Sequence, residues 1–419
     1  MRRSVLREHT AALINGLSRQ QLLEGFGISR VSDLTGLDRI GVPVTSCARV
    51  LSKTIAIHTG KGLTYEAARA GAILEGIEVV VAEHPAGPFQ VAAAFQIPEE
   101  DRLGVEHCFP SRSSVVNDLT PLAWEQMLNI QNGAEKLVPS DVVWAVPRLT
   151  QQCLMYLQMG SNGLASGGTL EDAILSGLYE ILERDAWTIN EYLLEHYGIM
   201  PKRTPLTGLS ERLEGLVRKI DAAALKLHLF EITNDYPVPV YSAILLDKSG
   251  NCAGTFGGYG CHLSAEIAAI RAITEAIQGR GSYISGARDD LFRRQFLLLK
   301  RMNQEKLDQM FSDVETGSLI AEHRVLDFPD VKTELRYLLR LIKGVGVSEV
   351  FVKDMGSFLD GAVHVVRVFS PQCEGFKFDH WAPSLRCLSY AQRCLENLGD
   401  GKGKTAPATA EESDEAWIL

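Results

Sequence analysis

The stretch Thr64–His84, TYEAARAGAILEGIEVVVAEH, constrains this chain more than any other. It has helical length and is apolar nearly all round, the pattern of a helix packed on every side. Yet Glu75 and Glu78 sit inside it, one turn apart. Two unpaired carboxylates cannot be buried cheaply, so they need a cation or they must protonate. Hard divalent ions take oxygen ligands, and Mg²⁺ is commonly held by few carboxylates plus substrate phosphates. The structural alternative is that both acids pair with Arg or Lys elsewhere.

A second stretch repeats the theme. Residues 161–187 read SNGLASGGTLEDAILSGLYEILERDAW, a Gly/Ser-rich loop followed by a helix. Thr169 is a good N-cap, and Asp172 three residues on makes a pattern close to a capping box. Ile174, Leu178, Ile181 and Leu182 share one face, and Asp172, Glu180 and Glu183 cluster on the other. The plain reading of that second face is a solvated one. Against it, Glu180 and Glu183 are a like-charge i,i+3 pair, unfavourable unless a cation sits between them. Arg184 and Asp185 follow at once. A third stretch, GGYGCHLSAEIAAIRAITEAIQGR at 257–280, leads from a Gly-rich approach into a helix with Arg271, Glu275, Gln278 and Arg280. Arg271 and Glu275 form either an intrahelical ion pair or a set that holds phosphate and metal.

Length and composition bound the rest. The chain has 419 residues and a formal net charge of −10, and 46% of it is hydrophobic, enough for a large core. The acidic balance argues against nonspecific nucleic-acid binding. The start, MRRSVLREHTAALINGL, carries positive charge but no apolar run, so no signal peptide is expected. No stretch is long and apolar enough to span a membrane. The eight cysteines are scattered and form no C-x-x-C, so the expectation is a reduced, cytoplasmic protein without a zinc or redox motif. No internal repeat at solenoid period is found.

Residues 4–24 read as one amphipathic helix, and Gly41–Ile57 as a strand or hairpin. VAAAFQIP and VVWAVPRL are strand-like, each closed by a Pro. The helix through Trp187 continues to Tyr197. Leu227–Ile232, Pro239–Leu246, Glu349–Lys353 and Ala362–Phe369 are strand-like, NCAGTFGGYG is turn-rich, and 291–311 is a charged surface helix. The β runs alternating with long helices predict an α+β, mixed α/β fold. The tail from Gly399 reads as a flexible acidic end. Its G-K-T at 403–405 is not a P-loop, because Leu398 stands where the motif needs Gly and no strand leads in.

Taken together, GKG at 60–62, E-x-x-E at 75–78, SNGLASG-x-T-x-x-D-A with E-x-x-E-R at 180–184, and R-A-I-T-E-A-x-Q-x-R at 271–280 resemble the YcaO family. The likeness runs from about Val31 to about Glu374. It implies a YcaO-type ATP-binding fold with several β-sheet layers and long acidic helices, in a catalytic domain over 31–398 between an N-terminal helical segment (1–30) and the tail (399–419). It implies binding of ATP and Mg²⁺ without a P-loop. By motif position the metal ligands are Glu75, Glu78, Asp172, Glu180 and Glu183. Lys61, Asn162, Arg184 and Arg271 complete the nucleotide contacts, and Arg184, Arg271 and Glu275 carry catalysis. Three positions depart from the family pattern: Asp172 stands where Glu is common, Gly71 where Ser is common, and Gly168 where Asn is common. Pro371 and Glu374 either fit the family or form an ordinary turn.

The implied activity is ATP-dependent activation of a peptide backbone amide by O-phosphorylation. The opening VSDLTGLDRIGVPV at 31–44 is similar to YcaO proteins paired with a TfuA partner, and the ending EAWIL lacks the Pro-x-Pro-x-Pro tail of azoline formers. The expectation is therefore a thioamide made with a sulfide donor and a TfuA-like partner. The alternatives are an azoline-forming cyclodehydratase acting on Cys, Ser or Thr of a ribosomal peptide, and a non-catalytic peptide-binding module. The partner is a peptide or protein, with no nucleic acid and no membrane, and a homodimer stays open.

Overall fold

The computed structural model describes residues 2–108, 116–146, 148, 160–247, 254–287, 304–375 and 381–399. Helices α1 (Arg2–Gly16) and α2 (Arg19–Phe26) open the chain. The expected single helix is broken because Ser18 caps α2 with Gln21 in a reciprocal capping box. Strands β1 (Ile28–Asp33), β2 (Val44–Arg49) and β3 (Ile57–Lys61) form an antiparallel three-stranded sheet, and α3 (Tyr65–Ala82) follows. The second sheet begins with β4 (Gln90–Ala93), which stops sooner than VAAAFQIP suggests because Ala94–Gln96 turn as a 3₁₀ segment. It continues through the short helix α4 (Val105–Cys108) to β5 (Pro121–Asn129) and β6 (Glu135–Pro139). The strand-like VVWAVPRL is instead entered by the helix α5 (Ser140–Val143), whose four residues are all buried.

Then come β7 (Leu164–Gly167), α6 (Leu170–Tyr197), β8 (Lys202–Arg203), α7 (Glu211–Ala222), β9 (Leu225–Glu231), β10 (Val240–Asp247), β11 (Thr255–Cys261) and α8 (Ala265–Ser285). Strands β8, β9, β10 and β11 lie in that order in a third antiparallel sheet. Of the passage expected to be turn-rich, 251–260, the part from Thr255 on belongs to the strand β11, and 251–253 lie outside the described residues. The last described elements are α9 (Gln304–Ser312), α10 (Val331–Lys343), β12 (Phe351–Phe358), β13 (Val363–Phe369) and α11 (Leu385–Gly399). Strands β12 and β13 join the second sheet, whose order is β4-β5-β12-β13-β7 with β6 on β5. The first part of the expected 291–311 helix, and the G-K-T at 403–405, lie outside the described residues. No helix among the described residues is long and apolar enough to cross a membrane.

Three helices join the three sheets in a ring. Helix α3 packs on β1, β2 and β3 and on β7 of the second sheet. Helix α6 packs on β7 and β13 and on β10 and β11 of the third. Helix α8 packs on β10 and β11 and on β2 and β3 of the first. Each helix is therefore covered on two sides, which explains the nearly all-round apolar composition of α3. On α3, Ala68, Ala72, Ile73, Gly76 and Ile77 are buried, and each isoleucine contributes about 2 kcal/mol by leaving water.

Two-sided packing needs close backbone approach. A Cβ on Gly60 of β3 would lie 2.0 Å from the Ala68 carbonyl oxygen of α3, and one on Gly260 of β11 would lie 2.1 Å from the Ala268 carbonyl oxygen of α8. The glycines that make 251–260 look like a turn are what let α8 lie directly on the strand. Gly60→Ala is expected to lower stability by about 2 kcal/mol or more, because backbone must move. Gly257→Ala, whose added Cβ meets nothing within 4 Å, is expected to stay within about 0.5 kcal/mol of the parent. Chemical denaturation of the two variants checks this, and equal losses would contradict the packing argument.

Candidate active site

One strand–turn–helix unit occurs three times. The pairs are β3 with α3, β7 with α6, and β11 with α8. Each helix is capped by a hydroxyl: Thr64 accepts from the Ala67 amide, Thr169 from that of Asp172, and Ser264 from that of Ile267. Counting from the cap, the fourth residue is always alanine: Ala68, Ala173, Ala268. The strand glycines Gly60, Gly167 and Gly260 approach these alanines most closely or nearly so. The eleventh residue is Glu75, Glu180 or Glu275, and the fourteenth is Glu78, Glu183 or Gln278. At about 100° per residue, positions eleven and fourteen share one face. The ring of helices turns those faces toward each other.

The result is a cleft of about 690 Å³. Lys61, Glu75, Glu78, Asp172, Glu180, Glu183, Arg184, Arg271 and Glu275 all line it. Asn162 does not; it lies behind Ser161, buried, and its Oδ1 has no hydrogen-bond partner among the described residues. Of the two readings of Asp172, Glu180 and Glu183, the solvated face is excluded: Asp172 and Glu183 are buried and all three face the cleft. Glu75, expected inside a fully buried helix, keeps 43% of its side chain exposed because the cleft opens over it.

Cations and carboxylates alternate across the helices. Lys61 on β3 pairs with Glu275 on α8. Arg184 on α6 lies 3.5 Å from Glu183 and 3.9 Å from Glu275. Arg271 does not take the intrahelical option but reaches Glu183 on α6 at 3.9 Å. Trp187 stacks on Tyr259 of β11 at 4.2 Å, and the Arg184 guanidinium lies over Trp187 at 5.3 Å, which fixes its direction. The carboxylates are also held by the backbone: Thr59 donates its amide to Glu75 at 3.3 Å, and Cys261 to Glu183 at 3.1 Å.

Burial pushes the Glu78 carboxyl up to about 8, with Glu180 and Glu75 adding to the rise and the Ser166 hydroxyl, donating at 2.6 Å, opposing it. Burial likewise pushes Glu180 up to about 7, eased by Arg184 and worsened by Glu183. Burial also works against ionised Glu275, but Lys61, Arg184 and Arg271 outweigh it and hold the carboxyl below its usual range. The α3 and α6 acids thus face each other short of positive charge, whereas the α8 acid has it in excess. Among the described residues, no three His, Cys, Asp or Glu side chains are close enough to hold a metal ion alone. The donor set fits Mg²⁺ shared between protein carboxylates and phosphate oxygens, the usual mode for this ion.

Three further residues shape the cleft. Gln278, the fourteenth residue of the third unit, donates to the Thr59 carbonyl at 2.8 Å and its hydroxyl at 2.5 Å, tying α8 to β3. Ser166 holds Glu78. Arg367, wholly buried, donates to the carbonyls of Val143, Asn162 and Gly160 and fixes the loop before β7. The constant spacing from each cap could have revealed Gln278. A lone Arg inside the apolar run VHVVRVF was the signal for Arg367. Ser166 left no signal in the sequence.

This fold and cleft define a class: a protein that gathers carboxylates and arginines from three helices where nucleotide sites of other folds use a glycine-rich P-loop. The profile of the YcaO cyclodehydratase family, described as ATP- and Mg²⁺-binding, matches residues 59–374. The chain belongs to the YcaO family. An uncharacterized protein of Methanothermobacter thermautotrophicus is 32% identical over 371 residues, covering 85% of this chain and 92% of that one. An uncharacterized protein encoded in the tfuA 3′ region of Rhizobium leguminosarum bv. trifolii is 32% identical over 290 residues, 67% of this chain and 68% of that one. The solved structure of YcaO from Methanopyrus kandleri, bound with AMPPCP and Mg²⁺, superposes with a TM-score of 0.69 at 21% identity, over 90% of this chain and 96% of that one. The expected fold is borne out, and ATP and Mg²⁺ are the cofactors of this family.

The raised carboxyls carry a stability consequence. An acid whose folded pKa lies above its unfolded value near 4.5 costs nothing below that value and destabilises progressively as pH rises toward the folded value. Metal-free protein should therefore lose stability between about pH 5 and pH 8, and Glu78→Gln should recover about 2 kcal/mol at pH 9 while changing little at pH 5. Urea denaturation of both proteins at the two pH values checks this. Parallel pH profiles would contradict the electrostatic reading of the cleft.

Proposed function

We propose that this chain uses ATP to activate a peptide backbone amide and that its product is a thioamide. A sulfide adds to the amide carbon, and the amide oxygen, now negative, attacks the γ-phosphorus of ATP and displaces ADP. The C–O bond then breaks with loss of phosphate, leaving C=S where C=O had been. Amides are poor electrophiles, and phosphorylation turns the oxygen into a leaving group. Phosphoryl transfer asks for positioning and charge neutralisation more than covalent catalysis. The observation that carries the reading is the convergence of Glu75, Glu78, Asp172, Glu180, Glu183, Glu275, Arg184, Arg271 and Lys61 on one cleft in a member of an ATP- and Mg²⁺-binding family.

In this reading Glu75, Glu78, Asp172, Glu180 and Glu183 hold Mg²⁺, which neutralises and orients the triphosphate. Arg184 and Arg271 contact phosphate oxygens, and Lys61 exchanges Glu275 for one. Asn162, behind the lining, orders the loop at Ser161. The TGLDRIGVPV segment and the relative from a tfuA region favour sulfide as nucleophile and a TfuA-like protein as partner. A second reading rests on the family description, cyclodehydratase: a Cys, Ser or Thr side chain of the peptide is then the nucleophile and the product is an azoline.

Glu183→Gln should weaken Mg²⁺–ATP binding by about tenfold, roughly 1.4 kcal/mol, in a protein that keeps its fold. Unchanged affinity by calorimetry would remove Glu183 from the site. Arg184→Lys and Arg271→Lys should each cut ATP turnover by about tenfold or more, since Lys lacks the planar fork that grips phosphate. Normal rates in both would make the arginines structural only. Mass spectrometry of a treated peptide should show sulfur in place of oxygen, and only with a sulfide source. Loss of water without any sulfur source would establish the azoline reading instead.

A further inference from the structure

Glu75 lines the cleft with a side chain that is 43% exposed. A long side chain left to solvent samples many rotamers, so holding it in one orientation costs conformational entropy. Among the described residues no lysine or arginine lies within ion-pair distance of it. Its supports come from β3 instead. The Thr59 amide donates to Oε2 at 3.3 Å. Nδ1 of His58, the residue before, lies 3.7 Å from Oε1. His58 is buried between the first sheet and α3. It stands opposite Cys47 of β2, and a Cβ on Gly76 of α3 would lie 3.6 Å from its Cδ2.

Arg49 decides which ring nitrogen carries the proton. Its Nη1 lies 3.3 Å from His58 Nε2. A guanidinium has donors only, so Nε2 accepts and the ring proton sits on Nδ1, the atom beside Glu75. Arg49 is in turn fixed. It is buried and pairs with buried Glu83, the C-cap of α3. Glu83 also accepts from the Lys53 and Thr54 amides at 3.1 and 2.8 Å and from the Ser52 hydroxyl at 3.0 Å. The line Glu83–Arg49–His58–Glu75 thus runs back along α3 over about two turns, about 12 Å. It starts at a carboxylate locked in place and ends on one that faces the cleft.

We propose that His58 is a positioning residue: with its tautomer set by Arg49, its Nδ1–H holds the Glu75 carboxylate in the orientation that receives Mg²⁺. The inference rests on the reading of Glu75 as a group that holds Mg²⁺ with the nucleotide. At 3.7 Å the contact is a charge–dipole attraction rather than a hydrogen bond. It acts on one side of Oε1, and the lone pairs that His58 and Thr59 leave over are open to a metal. Carboxylates that bind metals are held by such outer partners, whose loss typically weakens metal binding 10- to 100-fold. A residue that only filled the space between β3 and α3 would not need two polar atoms, since an aliphatic side chain fills it without the cost of burying them.

Two amide side chains separate the roles of the two nitrogens. Asn carries its terminal atoms where Nδ1 sits, and Gln carries its own where Nε2 sits. His58→Asn therefore keeps a donor toward Glu75 and drops the acceptor for Arg49, and His58→Gln does the reverse. Calorimetry on the full chain with a non-hydrolysable ATP analogue and Mg²⁺ reads the difference. His58→Gln should bind about tenfold more weakly than wild type, and His58→Asn should stay within about threefold of it. A folded His58→Gln protein that binds as wild type does, or no worse than His58→Asn, would overturn the proposal. NMR of ¹⁵N-histidine-labelled wild type, with His58 assigned by its loss in a variant, needs only the wild-type fold to be read. It should show the proton on Nδ1, and a proton on Nε2 would equally overturn the proposal. Glu75→Gln is the control for the underlying reading. If it weakens Mg²⁺–nucleotide binding and His58→Gln does not, only the role of His58 falls. If Glu75→Gln binds normally, the reading of Glu75 as a metal ligand falls, and the role of His58 with it.

Discussion

Like charges brought face to face in a partly desolvated cleft must be balanced, and this requirement organises the molecule. Glu78 on α3 and Glu180 and Glu183 on α6 approach across the cleft, and burial raises the carboxyls of Glu78 and Glu180. The protein meets only part of the need with Arg184 and Arg271. Its third helix is treated differently, since Glu275 has Lys61 and Arg184 about it and stays ionised. An asymmetric cleft of this kind, rich in uncompensated acid on one side and in cations on the other, suits a metal-bound polyphosphate, which carries both signs.

Holding such a cleft open takes rigid walls. The three-helix ring supplies them, because each helix is wedged between two sheets and cannot shift without losing buried surface on both sides. Glycine on the strands and alanine on the helices bring the backbones close enough for that wedge. The same unit used three times delivers its polar pair to the same height each time. The third copy has diverged: Gln278 stands where the others have Glu78 and Glu183, and its amide fastens α8 to β3 rather than joining the acids.

Much of this was legible beforehand. The all-round apolar helix with Glu75 and Glu78, the capped start at Thr169, and the E-x-x-E-R run each pointed to a buried, acid-lined site, because hydrophobic period and charge placement are local properties. The cleft brings together every expected site residue but Asn162. What failed had tertiary causes. The strand β11 read as a turn because its glycines serve the approach of α8 rather than a change of chain direction. The pairing of Arg271 with Glu183 rather than Glu275 depends on helix-to-helix distance, which no local pattern encodes. The threefold unit was in the sequence, in the spacing from each cap, but at intervals far longer than those of a solenoid.

The central claim is that the acids on α3 and α6 form one half of a site whose other half is a Mg²⁺-bound triphosphate. Titration calorimetry of a non-hydrolysable ATP analogue, run with and without Mg²⁺, tests it most directly. The account predicts binding with Mg²⁺ and a loss of about a hundredfold or more when the metal is withheld, since the bare triphosphate would then face the acids unscreened. Equal affinity in the two titrations would contradict it.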